Sequence, residues 1–184
     1  MKRLLVLSAT LLVALAGCGS GRHPSDATAN NNGYYVKAGP ITYQLQISRE
    51  LNPYAVEDHQ YLTGMPAGTG APAPDELWYG VFLWAKNTTE QPQQTSDSFY
   101  IQDTSGDKYY PVPLNASLNP YAWTGQMLQP LGTEPGPDTT AYFGPTQGAL
   151  VLFKLNTSVY ANRPLTLYIQ APGASQPSTI SLDL

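Results

Sequence analysis

Thiols are nearly absent from this chain: Cys18 is the one cysteine in 184 residues. A disulfide framework is therefore excluded, and no thiol remains in the body of the chain for nucleophilic catalysis or soft-metal binding. Histidine is almost as scarce. Of the two, His23 lies in a polar N-terminal stretch, so chemistry that needs an imidazole falls to His59. No Gly-x-Ser-x-Gly turn occurs, and Asp58, next to His59 in sequence, does not supply the geometry of a Ser-His-Asp triad. The N-terminal apolar run, Leu4 to Ala16, falls short of the roughly 20 residues that span a bilayer. Positive charge is also sparse. With Lys2 and Arg3 set aside, seven basic side chains face thirteen acidic ones, which argues against nucleic acid or an anionic lipid surface as a charge-driven partner. Helical periodicity is almost absent, and the 17 prolines are spread through the chain beyond the apolar run.

What is present is a period of two, the mark of half-buried strands. Ile41, Tyr43, Leu45 and Ile47 alternate with Thr42, Gln44 and Gln46. Phe99 and Ile101 alternate with Tyr100 and Gln102; Leu165, Leu167 and Ile169 alternate with Thr166, Tyr168 and Gln170; Ile180, Leu182 and Leu184 close the chain in the same way. Two runs, 76–86 and 149–155, are apolar on both faces and read as central strands. Asp103 to Asp107 reads as a hairpin turn in which Gly106 takes a positive φ. Short strands joined by Pro/Gly-rich loops imply two antiparallel sheets packed face to face, an immunoglobulin-like β-sandwich, with a jelly roll or small closed barrel as the alternative.

The N-terminus carries a recognisable address. Lys2 and Arg3 precede the apolar run, which leads into Leu15-Ala16-Gly17-Cys18. This resembles the signal peptide and lipobox of bacterial lipoproteins. The resemblance implies cleavage before Cys18, diacylation of its thiol and acylation of the new amino end, which makes a membrane the first partner. Each buried acyl methylene contributes about 0.8 kcal/mol, so two or three chains anchor firmly. In a host with two membranes, Gly19 in place of the inner-membrane retention Asp favours the outer membrane. Residues 19–33 hold no large apolar side chain and read as a flexible tether reaching about 20 Å. The expected organisation is a signal peptide at 1–17, lipidated Cys18 and tether at 18–33, and one domain at 34–184.

A second resemblance rests on the order lipobox, polar tether, a first strand, an aromatic strand ending Lys86-Asn87-Thr88-Thr89, then Phe99-Tyr100-Ile101-Gln102-Asp103-Thr104-Ser105-Gly106. It is similar to bacterial lipoproteins bearing an immunoglobulin-like domain of unknown function. That implies fold and location and names no ligand.

Two long loops, Arg49–Asp75 and Leu114–Pro145, interrupt the strands, and their length marks them as either functional or locally mobile. They share a word: Leu51-Asn52-Pro53-Tyr54-Ala55 and Leu118-Asn119-Pro120-Tyr121-Ala122. Either this is repeated turn chemistry, or the two loops lie together and form a paired aromatic surface. Thirteen tyrosines and three tryptophans against four phenylalanines favour rings with a polar handle. Tyr54, Tyr61, Tyr121 and Trp123 are the candidate partner-binding residues, suited to a protein interface or the flat face of a sugar. The bland alternative is that they cap the sandwich. Trp78 and Trp84, on one face of a central strand, read as core.

Glu57, Asp58, His59 and Met65 offer a weak metal set with one imidazole. Asp103, Ser105 and Asp107 lack the further acids of a calcium loop. Three sequons, at Asn87, Asn115 and Asn156, imply exposed turns. No catalytic residue, metal ligand or cofactor is assigned. The expected function is a tethered, non-enzymatic lipoprotein that binds an envelope protein or surface glycan. The rivals are a small envelope enzyme or metal-delivery protein using the His59 loop, and a structural envelope component with no fixed ligand.

Overall fold

The computed structural model describes residues 28–29, 33 and 35–182. Cys18, the signal peptide, most of the expected tether, Tyr34 and Leu184 lie outside the described residues.

Among the described residues thirteen strands follow one another: β1 (Thr28–Ala29), β2 (Tyr35–Ala38), β3 (Ile41–Leu51), β4 (Glu76–Asn87), β5 (Gln93–Gln94), β6 (Ser98–Gln102), β7 (Lys108–Tyr109), β8 (Pro111–Val112), β9 (Met127–Leu128), β10 (Thr133–Glu134), β11 (Ala149–Asn156), β12 (Leu165–Gln170) and β13 (Ser178–Leu182). One sheet has the order β2-β3-β4-β11-β8 and the other β1-β13-β12-β6-β7. If β3, β4, β8 and β11 are taken as strands A, B, D and E, and β6, β12 and β13 as C, F and G, the sheets are the ABED and CFG sheets of an immunoglobulin sandwich. The chain changes sheet between β4 and β6, returns between β7 and β8, and crosses again between β11 and β12, as that topology requires. The domain is an all-β, immunoglobulin-like sandwich, and the barrel and jelly-roll alternatives fall away.

Strand β4 is central: β3 pairs along one side and β11 along the other. Its odd-numbered residues Leu77, Tyr79, Val81, Leu83 and Ala85 enter the core between the sheets, where they meet Phe99, Ile101, Leu165, Leu167, Ile169 and Ile180. Its even-numbered Trp78 and Phe82 face the other way, into a second apolar cluster with Leu51, Tyr61, Tyr121, Leu150 and Leu152. The two long loops close over that outer face. This double burial is why the 76–86 and 149–155 runs are apolar on both faces, and each fully buried ring or leucine contributes roughly 1.5–3 kcal/mol.

Two details differ from expectation. Thr28–Ala29, inside the segment expected to be tether, pairs in parallel with Thr179–Ile180 of β13. Backbone hydrogen bonding to a sheet edge needs no apolar side chain, so polar composition did not reveal it. In β3 the strict alternation breaks at Gln46, where the register passes from Leu45 opposite Leu83 to Ile47 opposite Phe82. That bulge turns Ile47 away from the inter-sheet core, and it ends 36% exposed.

The Asp103–Asp107 hairpin forms as expected, with Gly106 at φ 96°. Asp103 is buried, and its Oδ1 accepts from Ser105 N, Ser105 Oγ and Asp107 N at 2.8–3.0 Å. Burial alone would raise its carboxyl pKa; these bonds outweigh burial and hold it below the usual carboxylate range. The acidic spacing is turn chemistry.

Candidate binding surfaces

The repeated word makes the same turn twice. Tyr54 N donates to Asn52 Oδ1 at 2.9 Å and Tyr121 N to Asn119 Oδ1 at 3.0 Å. Ala55 N bonds Asn52 O, and Ala122 N bonds Asn119 O, at 3.1 Å each. The repeat is turn chemistry, and the burials then diverge: Tyr54 is 88% exposed and Tyr121 is 5% exposed.

The two loops do lie together, but over the outer face of the β2-β3-β4-β11-β8 sheet. Asn119, fully buried, staples them by donating from Nδ2 to Tyr61 O and Thr63 O, both at 3.0 Å. Tyr61 is 1% exposed, its ring edge-on to Phe82 with centroids 5.0 Å apart. Trp123 is half-buried against the core, between Tyr43 and Phe99, and its Nε1 donates to Ser96 O at 2.7 Å. Tyr61 and Tyr121 are therefore packing residues and offer no free ring to a partner; Tyr54 is exposed, and half-buried Trp123 also lines a groove of about 310 Å³ with Phe99, Val112 and Leu114. Apolar cover for the outer sheet face takes Tyr61 and Tyr121, and Trp123 packs on the edge of the inter-sheet core.

The His59 loop is occupied in a similar way. Asp58, 3% exposed, accepts a forked pair from Arg49 at 2.6 and 3.2 Å and a third bond from Asn52 N at 2.8 Å. Burial raises its carboxyl pKa, but Arg49 and the Asn52 amide outweigh that and lower it. His59 is exposed, with Nε2 2.7 Å from Pro53 O. Among the described residues no group of three or more His, Cys, Asp or Glu could hold a metal ion. Of the sequons, Asn87 is not an exposed turn. It is fully buried, with Nδ2 bonded to Gln91 O and Leu128 O.

Two surfaces expose aromatic rings that loop reasoning missed. The first is on the β1-β13-β12-β6-β7 sheet. Tyr100 and Tyr168 stand directly opposite in register, their rings stacked at 4.4 Å and 6°. Tyr110, 65% exposed, lies 6.1 Å from Tyr100, and Lys108 Nζ sits 4.6 Å from the Tyr100 ring centre. The signal was present in the alternation, where tyrosine occupies positions that ordinarily carry small polar residues.

The second is a groove of about 230 Å³ on the outer face of the other sheet. Its floor is Trp84 of β4 with Gln44 and Gln46 of β3; Pro135, Tyr142, Gln147 and Gly148 complete it. Trp84 shares a face with Trp78, as expected, but is half-buried where Trp78 is 2% exposed. The loops that cover Trp78 leave Trp84 open, so it is not core. Gly148 sets the wall. At φ 104° it approaches so closely that a Cβ would stand 3.1 Å from Leu83 O, Phe82 C and Gln46 Cγ.

Comparison with known proteins adds fold and nothing more specific. No family model matches the chain, and no curated protein matches it in sequence. In structure it is similar to the YjhA protein of Bacillus subtilis, with TM-score 0.55 and 13% identity over 84% of this chain and 99% of that one. It is also similar to an uncharacterized β-sandwich protein of Clostridium difficile 630, with TM-score 0.44 and 11% identity over 85% and 95% of the two chains. A third is YcdA of Bacillus subtilis, described as a candidate lipoprotein, with TM-score 0.49 and 11% identity over 84% of this chain and 38% of that one. Among the described residues no helix is long and apolar enough to cross a membrane.

Proposed function

We propose that this protein is a non-catalytic binding module of the cell envelope, held at the membrane by lipid on Cys18, that recognises an envelope protein through the tyrosine face around Tyr100 and Tyr168. The anchor rests on the lipobox. The observation that carries the binding role is the stacked Tyr100–Tyr168 pair beside exposed Tyr110. These rings add nothing to the inter-sheet core, and tyrosine is enriched where proteins meet. The parallel rings present hydroxyl-bearing edges together with the Lys108 cation, a surface better matched to a hydrogen-bonding protein than to a flat sugar. The non-catalytic reading is supported by the engagement of Asp58 with Arg49, which leaves His59 without a free carboxylate beside it in sequence other than exposed Glu57.

The test is site-specific photo-crosslinking in cells carrying the full chain. A crosslinking side chain at Tyr110 is expected to yield a discrete protein adduct that vanishes when Tyr100 and Tyr168 are both changed to Ala. It should persist in a His59→Ala variant. Absence of any discrete adduct, or one indifferent to the two tyrosines, would overturn this reading.

A further inference from the structure

We infer that the groove between Trp84 and Tyr142 is a binding site for an uncharged sugar ring, a neutral hexopyranose or N-acetylhexosamine unit of a surface glycan. This site is separate from the tyrosine face and does not depend on it.

Four observations converge on it. First, the lining combines an indole, a phenol and three primary amides, from Trp84, Tyr142, Gln44, Gln46 and Gln147. A sugar ring has an apolar C–H face that lies against an aromatic ring and an equatorial girdle of hydroxyls that both donate and accept. An amide also does both, so glutamines match that girdle. Second, among the described residues the lining contains no Asp, Glu, Lys, Arg or His, which leaves a phosphate, a carboxylate or an ammonium without a counter-charge there. Third, polar capacity is unspent. Gln44 is engaged, donating to Gly33 O at 2.7 Å and accepting from Gln46 Nε2 at 2.8 Å. The Trp84 indole N–H, the Tyr142 hydroxyl and the Gln147 amide have no hydrogen-bond partner among the described residues, so these groups remain for a ligand. Fourth, the site is built. Gln44 and Gln46, two residues apart on β3, share its outer face, and Gly148, held by its N–H to Ala141 O at 3.0 Å, brings the loop wall against the sheet at a φ that strains any side chain and where a Cβ would crowd Leu83 O. At about 230 Å³ the groove is smaller than the roughly 300–1,000 Å³ of sites for drug-sized ligands and suits one ring of a chain that continues outside.

The experiment uses the full chain, purified in a non-ionic detergent that carries no sugar headgroup. It is titrated by calorimetry and tryptophan fluorescence with maltohexaose, cellohexaose and chitohexaose as neutral probes and oligogalacturonate as the anionic one. At least one neutral probe should bind with Kd at or below about 1 mM. Trp84→Ala and, separately, the solvent-side Gln147→Ala should each weaken it, the first by about tenfold or more, as for a central ring contact. Gln147→Ala guards against a folding defect, because its melting temperature should not move. The Tyr100→Ala/Tyr168→Ala variant should bind the sugar as the parent does, so loss of protein crosslinking and loss of sugar binding fail independently. Binding of none of the neutral probes up to about 10 mM, tighter binding of oligogalacturonate, or affinity unchanged in both groove variants would overturn the inference.

Discussion

The ring of Tyr121 meets that of Tyr61 edge-on, with centroids 4.9 Å apart, and joins two loops 60 residues apart in sequence. The Tyr121 hydroxyl also donates to Gln60 Oε1 at 2.7 Å. This pair is part of the second apolar cluster, and the loops that looked like a recognition surface are instead the roof over one sheet.

Tyr121→Ala is accordingly expected to cost about 3 kcal/mol, as for other buried aromatic truncations. Partner crosslinking at Tyr110 by the protein that remains folded should not change. Chemical denaturation measures the first and crosslink yield per folded molecule the second. Reduced crosslinking at unchanged stability would return Tyr121 to the binding surface.

Asp58 should shape the acid limb of stability. Its folded pKa lies below the unfolded value of about 3.9, so its contribution is fully present above that pH and is lost as pH falls through the folded value. Asp103 acts in the same sense. Asp58→Asn is expected to lose about 2 kcal/mol at neutral pH, less than a fully buried pair because the Arg49 side chain is 32% exposed. Its melting temperature should fall less steeply than the parent's between pH 5 and 2. Parallel acid limbs would show that the Arg49–Asp58 pair is not titrating there.

Glu134 is 1% exposed and, among the described residues, meets neutral donors and no cation side chain: Oε1 accepts from Thr124 N, Thr124 Oγ1 and Gly125 N, and Oε2 from Thr95 Oγ1 at 2.7 Å. Glu134→Ala strands two buried-side backbone amides that cannot reorient as hydroxyls do, and should destabilise by about 2–3 kcal/mol. Thr95→Val removes one donor to Glu134 and strands the single Gln126 amide that donates to Thr95 Oγ1 at 2.8 Å, one backbone amide against two, and should cost less. The reverse order, read by urea unfolding, would mean that Glu134 is not the organising acceptor of this network.

Cys18→Ser should abolish fatty-acid labelling and leave an unprocessed or mislocated precursor, because acyl chains are the firm anchor the lipobox implies. Metabolic labelling with fractionation reads both. A cleaved, unlabelled variant that stays in membranes would remove the lipid anchor from the reading.

The sandwich was legible because burial on one face of a strand imposes a period of two that needs no knowledge of neighbours. Phe99/Ile101, Leu165/Leu167/Ile169 and Ile180/Leu182 all enter the core as the alternation requires, and the double-faced runs became β4 and β11. The turns were legible as well, since Asn-Pro-Tyr and Asp-x-x-Gly act through their own backbone. Which aromatics are free was decided by tertiary structure alone. Tyr54 and Tyr121 have the same local sequence and the same turn, yet one is solvated and the other roofed, because only the second falls over the apolar outer face of β4. Trp78 and Trp84 share a strand face, and the loop cover ends between them. The period of two distinguishes the faces of a strand; it carries no record of what a distant loop lays across them.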